Sequence, residues 1–174
     1  MKAYAGIGSR ETPKEVIDTF VHLASFLAKR GYTLRSGAAC GSDQAFEKGC
    51  DEVKGFKEIW LPWKGFENSD SKFIVKDPKA FELAQKYHPN WTALKQGGQK
   101  LQARNCHQVL GETLDNKADF IICWTKGGSG QGGTGQALRL AKDFGIPIFD
   151  FGKYPLIADA KDAFNVFYAD LKKS

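Results

Sequence analysis

Four cysteines, three histidines and one methionine are all that this 174-residue sequence holds of the softer metal-binding side chains. Cys40, Cys50, Cys106 and Cys123 are widely spaced and form no C-x-x-C pair. That argues against a zinc site or a disulfide framework and for reduced thiols. His22, His88 and His107 show no pair at ligand spacing, and no acidic cluster suits a hard cation. Neither a metal nor a cofactor is expected. No set of Ser, His and Asp reads as a nucleophilic triad. No apolar run has the length of a membrane span. Residues 2–6 read as a strand and not as a signal peptide, so a cytoplasmic location is expected. Internal repeats and low-complexity tails are also lacking.

Glycine is what the chain has in quantity, 19 residues of it. Six of the nine residues from Gly127 to Gly135 are glycine. This stretch follows the apolar run Phe120 to Trp124 and precedes an amphipathic one from Gln136 to Phe144. Strand, glycine loop and helix in that order suit a phosphate. Glycines let backbone N–H groups approach a ligand, and a helix start adds unsatisfied donors and a positive dipole end.

The other segments repeat the theme. A first strand runs into Gly6-Ile7-Gly8-Ser9-Arg10. Thr12, Pro13 and Glu15 then read as a capping box at a helix start. A second strand, 32–36, runs into the small-residue loop Gly37 to Asp43 and another helix. A third covers 57–61 and is stopped by Pro62. Residues 62–98 are irregular, with one short helix expected from Pro78 to about Tyr87. A helix over 99–110, a strand over 119–124, a helix over 135–144, a strand over 146–149 and a helix over 158–171 complete the reading.

Strands alternating with helices predict an α/β, Rossmann-like, doubly wound and mostly parallel sheet of about five strands, with helices on both faces. The length suits one domain over 1–174, with an irregular insertion at about 62–98. Ligands of such sheets sit outside the carboxyl ends of the strands. Three small-residue loops fall there, which predicts an anion site of nucleotide size.

The candidate ligand-binding residues follow from those loops: Gly8, Ser9 and Arg10; Gly37, Ala38, Gly41 and Asp43; Gly132, Gly133, Thr134 and Gly135. Arg10 can grip a phosphate or carboxylate bidentately, and Ser9 offers a hydroxyl and an N–H. Asp43 either caps its helix or accepts hydrogen bonds from a ribose diol. Glu47, four residues on, shares its helix face and is a candidate base or nucleophile for glycosidic chemistry. Arg104 and Asn105 form a further phosphate-binding pair, with His107 on the same helix face. Trp63 is a candidate for stacking on a base. The net charge of +5 suits an anionic ligand. Its basic residues are spread along the chain, so a nucleic-acid groove is not indicated.

These motifs resemble those of the SLOG superfamily of Rossmann-like proteins. That group includes the DNA-processing protein A domain, the LOG phosphoribohydrolases and nucleotide-sensing domains of bacterial defence proteins. Gly6 to Arg10 with Pro13 looks like the family's first turn, and Ser36 to Asp43 with Ala45 like its second. Arg104-Asn105 sits where the family carries an Arg-Asn or Arg-Lys pair, and Gly132 to Gly135 looks like its P-G-G-x-G-T loop. Short standalone members occur in phages and mobile elements.

The resemblance implies binding of a nucleotide or an ADP-ribose-type signal, including sequestration of that signal against a defence system, by a homodimer or higher homo-oligomer. It departs in the glycine loop and in the helix that follows. The LOG glutamate of G-G-x-G-T-x-x-E is Arg139 here, and Gln131 replaces the loop's proline. LOG-like hydrolysis at an N-glycosidic bond, with Glu47, Asp43 and Arg104 as catalytic residues, is therefore the alternative. Single-stranded DNA binding is the second alternative.

Overall fold

The computed structural model describes residues 2–174, leaving Met1 outside the description. Six strands and six helices alternate along most of the chain. They are β1 (Ala3–Gly8), α1 (Lys14–Lys29), β2 (Thr33–Ser36), α2 (Ser42–Glu52), β3 (Lys57–Leu61) and β4 (Phe73–Ile74). After these come α3 (Pro78–Tyr87), α4 (Gln96–Leu110), β5 (Phe120–Trp124), α5 (Gly135–Asp143), β6 (Ile148–Asp150) and α6 (Ile157–Leu171).

The strands form one sheet in the order β4-β3-β2-β1-β5-β6, and every neighbouring pair is parallel. The chain thus winds outward twice from β1. The sequence reading expected about five strands. The sixth, β4, lies in the stretch read as irregular and pairs Phe73 with Trp60 and Ile74 with Leu61. Two residues are too few for an alternation to be seen in the sequence.

Alternation along the central strands builds two cores. Tyr4, Phe120 and Ile122 face one side of the sheet, with Phe20, Leu27 and Phe46 from α1 and α2 and Phe164 from α6. Ala5, Ile7, Ile121 and Cys123 face the other, with Ala103, Val109 and Leu140 from α4 and α5. Apolar side chains on both faces make β1 and β5 near-continuous apolar runs, as buried parallel strands require.

The capping box expected at α1 does not form. Pro13 occupies the cap position without a side-chain cap. The Thr12 hydroxyl is 2.6 Å from the Ser9 carbonyl oxygen and 2.6 Å from Ser42 Oγ. The tertiary partner outcompetes the local one, and the result ties the first loop to the start of α2.

α1 and α2 cross at Gly49, where a Cβ would run into the Val21 carbonyl oxygen. Gly49→Ala is therefore expected to separate the two helices and cost about 3 kcal/mol. Denaturant unfolding checks this, and an unchanged midpoint would refute the close crossing.

Candidate functional site

The loops after β1, β2 and β5 surround a cavity of about 590 Å³ at the carboxyl edge of the sheet, with the face of α4 from Leu101 to Gln108 as its fourth wall. Gly8, Ser9, Arg10, Asp43, Arg104, Asn105, Gly132, Gly133 and Thr134 all line it. Gly37, Ala38, Gly41 and Gly135 do not line it but shape the backbone around it. Gly41 has φ 91°, and a Cβ there would lie 2.5 Å from the Ser9 carbonyl oxygen. Gly37 lets Arg104 in, since a Cβ would sit 2.5 Å from Arg104 Nη1.

Arg104 is buried, and its guanidinium is spent on the protein itself. Nη1 donates to the carbonyls of Gly37 at 2.5 Å and Trp60 at 3.0 Å, and Nε donates to Asn105 Oδ1 at 2.9 Å. Asn105 Nδ2 donates to the Gly133 carbonyl at 3.1 Å. The pair read as phosphate ligands is thus first a brace. It ties the ends of β2 and β3 to α4, and α4 to the glycine loop. Burial pushes the Arg104 pKa down to about 10, against the pull of nearby Asp43.

Asp43 is 4% exposed at the cavity wall and accepts from the Ala39 N–H at 3.3 Å. Burial raises its pKa to about 6; Arg104, Arg10 and the N–H groups of Ala39 and Gly8 hold it down only in part. The helix cap position belongs to Gly41, not to Asp43. Glu47 is elsewhere. It pairs with Lys57 Nζ at 2.8 Å, at the start of β3 and so at the opposite edge of the sheet, and it is not part of the cavity wall. One helical turn is enough to carry a carboxylate away from the site.

Ser9 offers less than its type suggests, because its N–H donates to the Trp124 carbonyl at 3.2 Å. Its Oγ accepts from the Glu11 N–H at 2.9 Å. Arg10 is the exposed cation of this loop, with Nη1 3.9 Å from Cys40 Sγ. Its side chain is 54% exposed, and Nη1 lies 3.5 Å from Glu67 Oε1.

The glycine loop is held from below by residues that glycine counting does not show. Asp150, buried at the end of β6, accepts from the Thr125 N–H at 3.0 Å, from the Thr125 hydroxyl and from the Gly152 N–H at 2.8 Å. Thr125 Oγ1 in turn accepts from the Gly130 N–H at 3.0 Å. Above this bracket, Lys126, Ser129 and Gln131 line the cavity beside the start of α5. The first N–H groups of a helix have no partner within it.

His107 and Trp63 lie outside the cavity wall. His107 stacks on Trp60 with ring centroids 4.2 Å apart, and its Nδ1 meets the Gly111 carbonyl at 3.0 Å. A carbonyl only accepts, so Nδ1 carries the proton, and burial lowers the His107 pKa. Trp63 packs edge-on to Phe66 at 5.4 Å. No aromatic side chain lines the cavity. Arg139 donates from Nε to the Tyr87 carbonyl at 2.7 Å and braces the end of α3. Among the described residues no group of three His, Cys, Asp or Glu side chains is placed to hold a metal. No described helix is long and apolar enough to cross a membrane.

A parallel, doubly wound sheet with glycine loops around a cavity at its carboxyl edge defines a Rossmann-like α/β protein. No protein-family model and no curated protein matches the chain. Solved structures do. DNA processing protein A from Helicobacter pylori, described in terms of single-stranded DNA binding, aligns with a TM-score of 0.58 at 19% identity, over 97% of this chain and 81% of that one. The structural-genomics target TM1055 aligns with a TM-score of 0.55 at 22% identity, over 85% of this chain and 72% of that one. Both likenesses are of fold: a Rossmann-like α/β sheet shared at low sequence identity.

Proposed function

We propose that the cavity binds a nucleotide or a nucleotide-derived anion of the ADP-ribose type, and that the protein works by holding this ligand. One observation carries the reading. Three glycine-containing loops, the start of α5 and the side chains of Arg10 and Lys126 converge on one cavity, with the buried carboxyl of Asp43 in its wall. Phosphate oxygens suit the N–H groups and cations, and a ribose diol suits the carboxylate. The role proposed for such a binder is sequestration of a signalling nucleotide, and pairing of two copies belongs to the same proposal. Light scattering of the purified chain tests the pairing.

A second reading is favoured by Asp43 alone. A carboxyl raised to about 6 inside a cavity has the protonation behaviour of a general acid or base. That suits cleavage at an anomeric carbon, with Asp43 in place of the absent LOG glutamate. Single-stranded DNA binding is supported less, because an aromatic stacking platform is lacking in the cavity wall.

One experiment separates the three. The protein is incubated with nucleoside monophosphates, cyclic dinucleotides, cyclic ADP-ribose isomers and a short DNA strand, then washed and denatured, and both fractions are resolved by mass. A nucleotide released intact supports the binder, and free base with a sugar phosphate supports the glycosidase. Arg10→Gln and Lys126→Gln are each expected to weaken retention of the identified ligand about tenfold. Retention unchanged in both variants would remove the cavity from consideration.

A further inference from the structure

We propose that Glu67 is a built-in competitor for Arg10: an entering phosphate displaces its carboxylate, and the turn at 65–69 opens as the site fills. The inference rests on the reading of the cavity as an anion site. Arg10 lines the cavity, whereas Glu67 does not. The Glu67 carboxylate therefore meets the guanidinium from outside the rim, at 3.5 Å.

The turn that delivers it is unusual. Gly65 has φ 80°, and the two non-glycine residues Glu67 and Asn68 have φ 52° and 60°. Consecutive left-handed residues with side chains are disfavoured by their own Cβ atoms. Something must hold them, and the anchors lie on either side of Glu67. Phe66 is buried against Trp63, with the Arg104 guanidinium 5.5 Å from its ring centroid. The Ser71 hydroxyl donates to the Ile59 carbonyl at 2.5 Å. Between these anchors Glu67 is tied to the rest of the fold by its ion pair with Arg10.

The competition has a direction. At 3.5 Å the Glu67 carboxylate makes a loose single contact. A phosphate offers more charge and several oxygens to the same planar fork, and it is gripped bidentately. The ligand wins Arg10 and frees the turn. Glu67 thus sets a threshold that weakly charged anions do not pass.

Calorimetry with adenosine 5′-monophosphate and with inorganic phosphate, on the full chain, tests the idea. Glu67→Gln is expected to bind both about three- to fivefold more tightly, the range of one exposed ion pair. No gain is expected when Arg10 is also Gln. Hydrogen exchange on the wild type supplies a second readout. Saturating adenosine 5′-monophosphate is expected to speed exchange at 65–69 and slow it at 130–135. If Arg10→Gln weakens binding but Glu67→Gln does not tighten it, or if exchange at 65–69 stays unchanged while 130–135 is protected, the competitor is refuted and the anion site stands. If neither protein binds either anion and 130–135 is not protected, the anion reading falls with it.

Discussion

Replacing Asp43 with asparagine is expected to improve stability relative to the wild type by about 2 kcal/mol as the pH rises from 4 to 7. The sign follows from the buried carboxyl. Its pKa is about 6 in the folded chain against 3.8 for the free side chain. Between these values the folded state holds a proton that the unfolded state has released. Stability is therefore greatest below 3.8 and is lost as the pH climbs through 6. Asparagine cannot titrate, so this loss disappears from the variant. Taking the difference between the two proteins at each pH cancels every other titration. Urea unfolding at four or five pH values measures it, and a difference that is flat from pH 4 to 7 would show that Asp43 is not the group described. The same substitution is expected to weaken ligand retention, because the carboxylate is the acceptor offered to a ribose diol. A variant that is relatively more stable at neutral pH and binds less would mark Asp43 as a group kept for function at the expense of the fold.

Arg104→Met is expected to be the most damaging single change at the site, costing about 3–5 kcal/mol at pH 7. Methionine fills the space but leaves the buried carbonyls of Gly37 and Trp60 without their donor. It also removes the nearest strong influence holding the Asp43 pKa down. The loss is therefore expected to be larger above pH 6 than below pH 5, where Asp43 is neutral. Adding Asp43→Asn to Arg104→Met should return part of the loss at pH 7 and little of it at pH 4. If the two changes simply add at both pH values, the residues are not coupled, and the buried charge argument fails.

The loops were legible in the sequence because their chemistry is local. Gly8, Gly41 and Gly132 announce a chain that must turn tightly or expose its N–H groups, and the apolar runs beside them announce strands. The same local logic misled at Thr12. A threonine before a proline is a good cap until a distant Ser42 hydroxyl takes it. Arg104 and Asn105 were legible as a pair facing the site. That both spend themselves on main-chain carbonyls was not, since carbonyl positions depend on the ends of three strands. Thr125 and Asp150 went unseen for a similar reason, lying 25 residues apart and meeting only when β5 and β6 pair. Glu47 and Trp63 show the opposite error. Each has suitable chemistry, and neither reaches the cavity wall.

The strand order has a consequence for how the chain acquires its site. β1 pairs with β5, joining Tyr4 to Phe120 and Gly8 to Trp124. During synthesis the first four strands emerge before β5, and β1 keeps an open edge until the 45 residues between Ile74 and Phe120 have followed. The glycine loop and α5 arrive later still. The nascent chain therefore has its Arg10 and Asp43 loops long before it has anything to enclose a ligand between them. Nonlocal parallel pairing of this kind is slow to form. Assembly of the cavity coincides with closure of the sheet, so a ligand that binds it acts on the finished fold and not on its precursors.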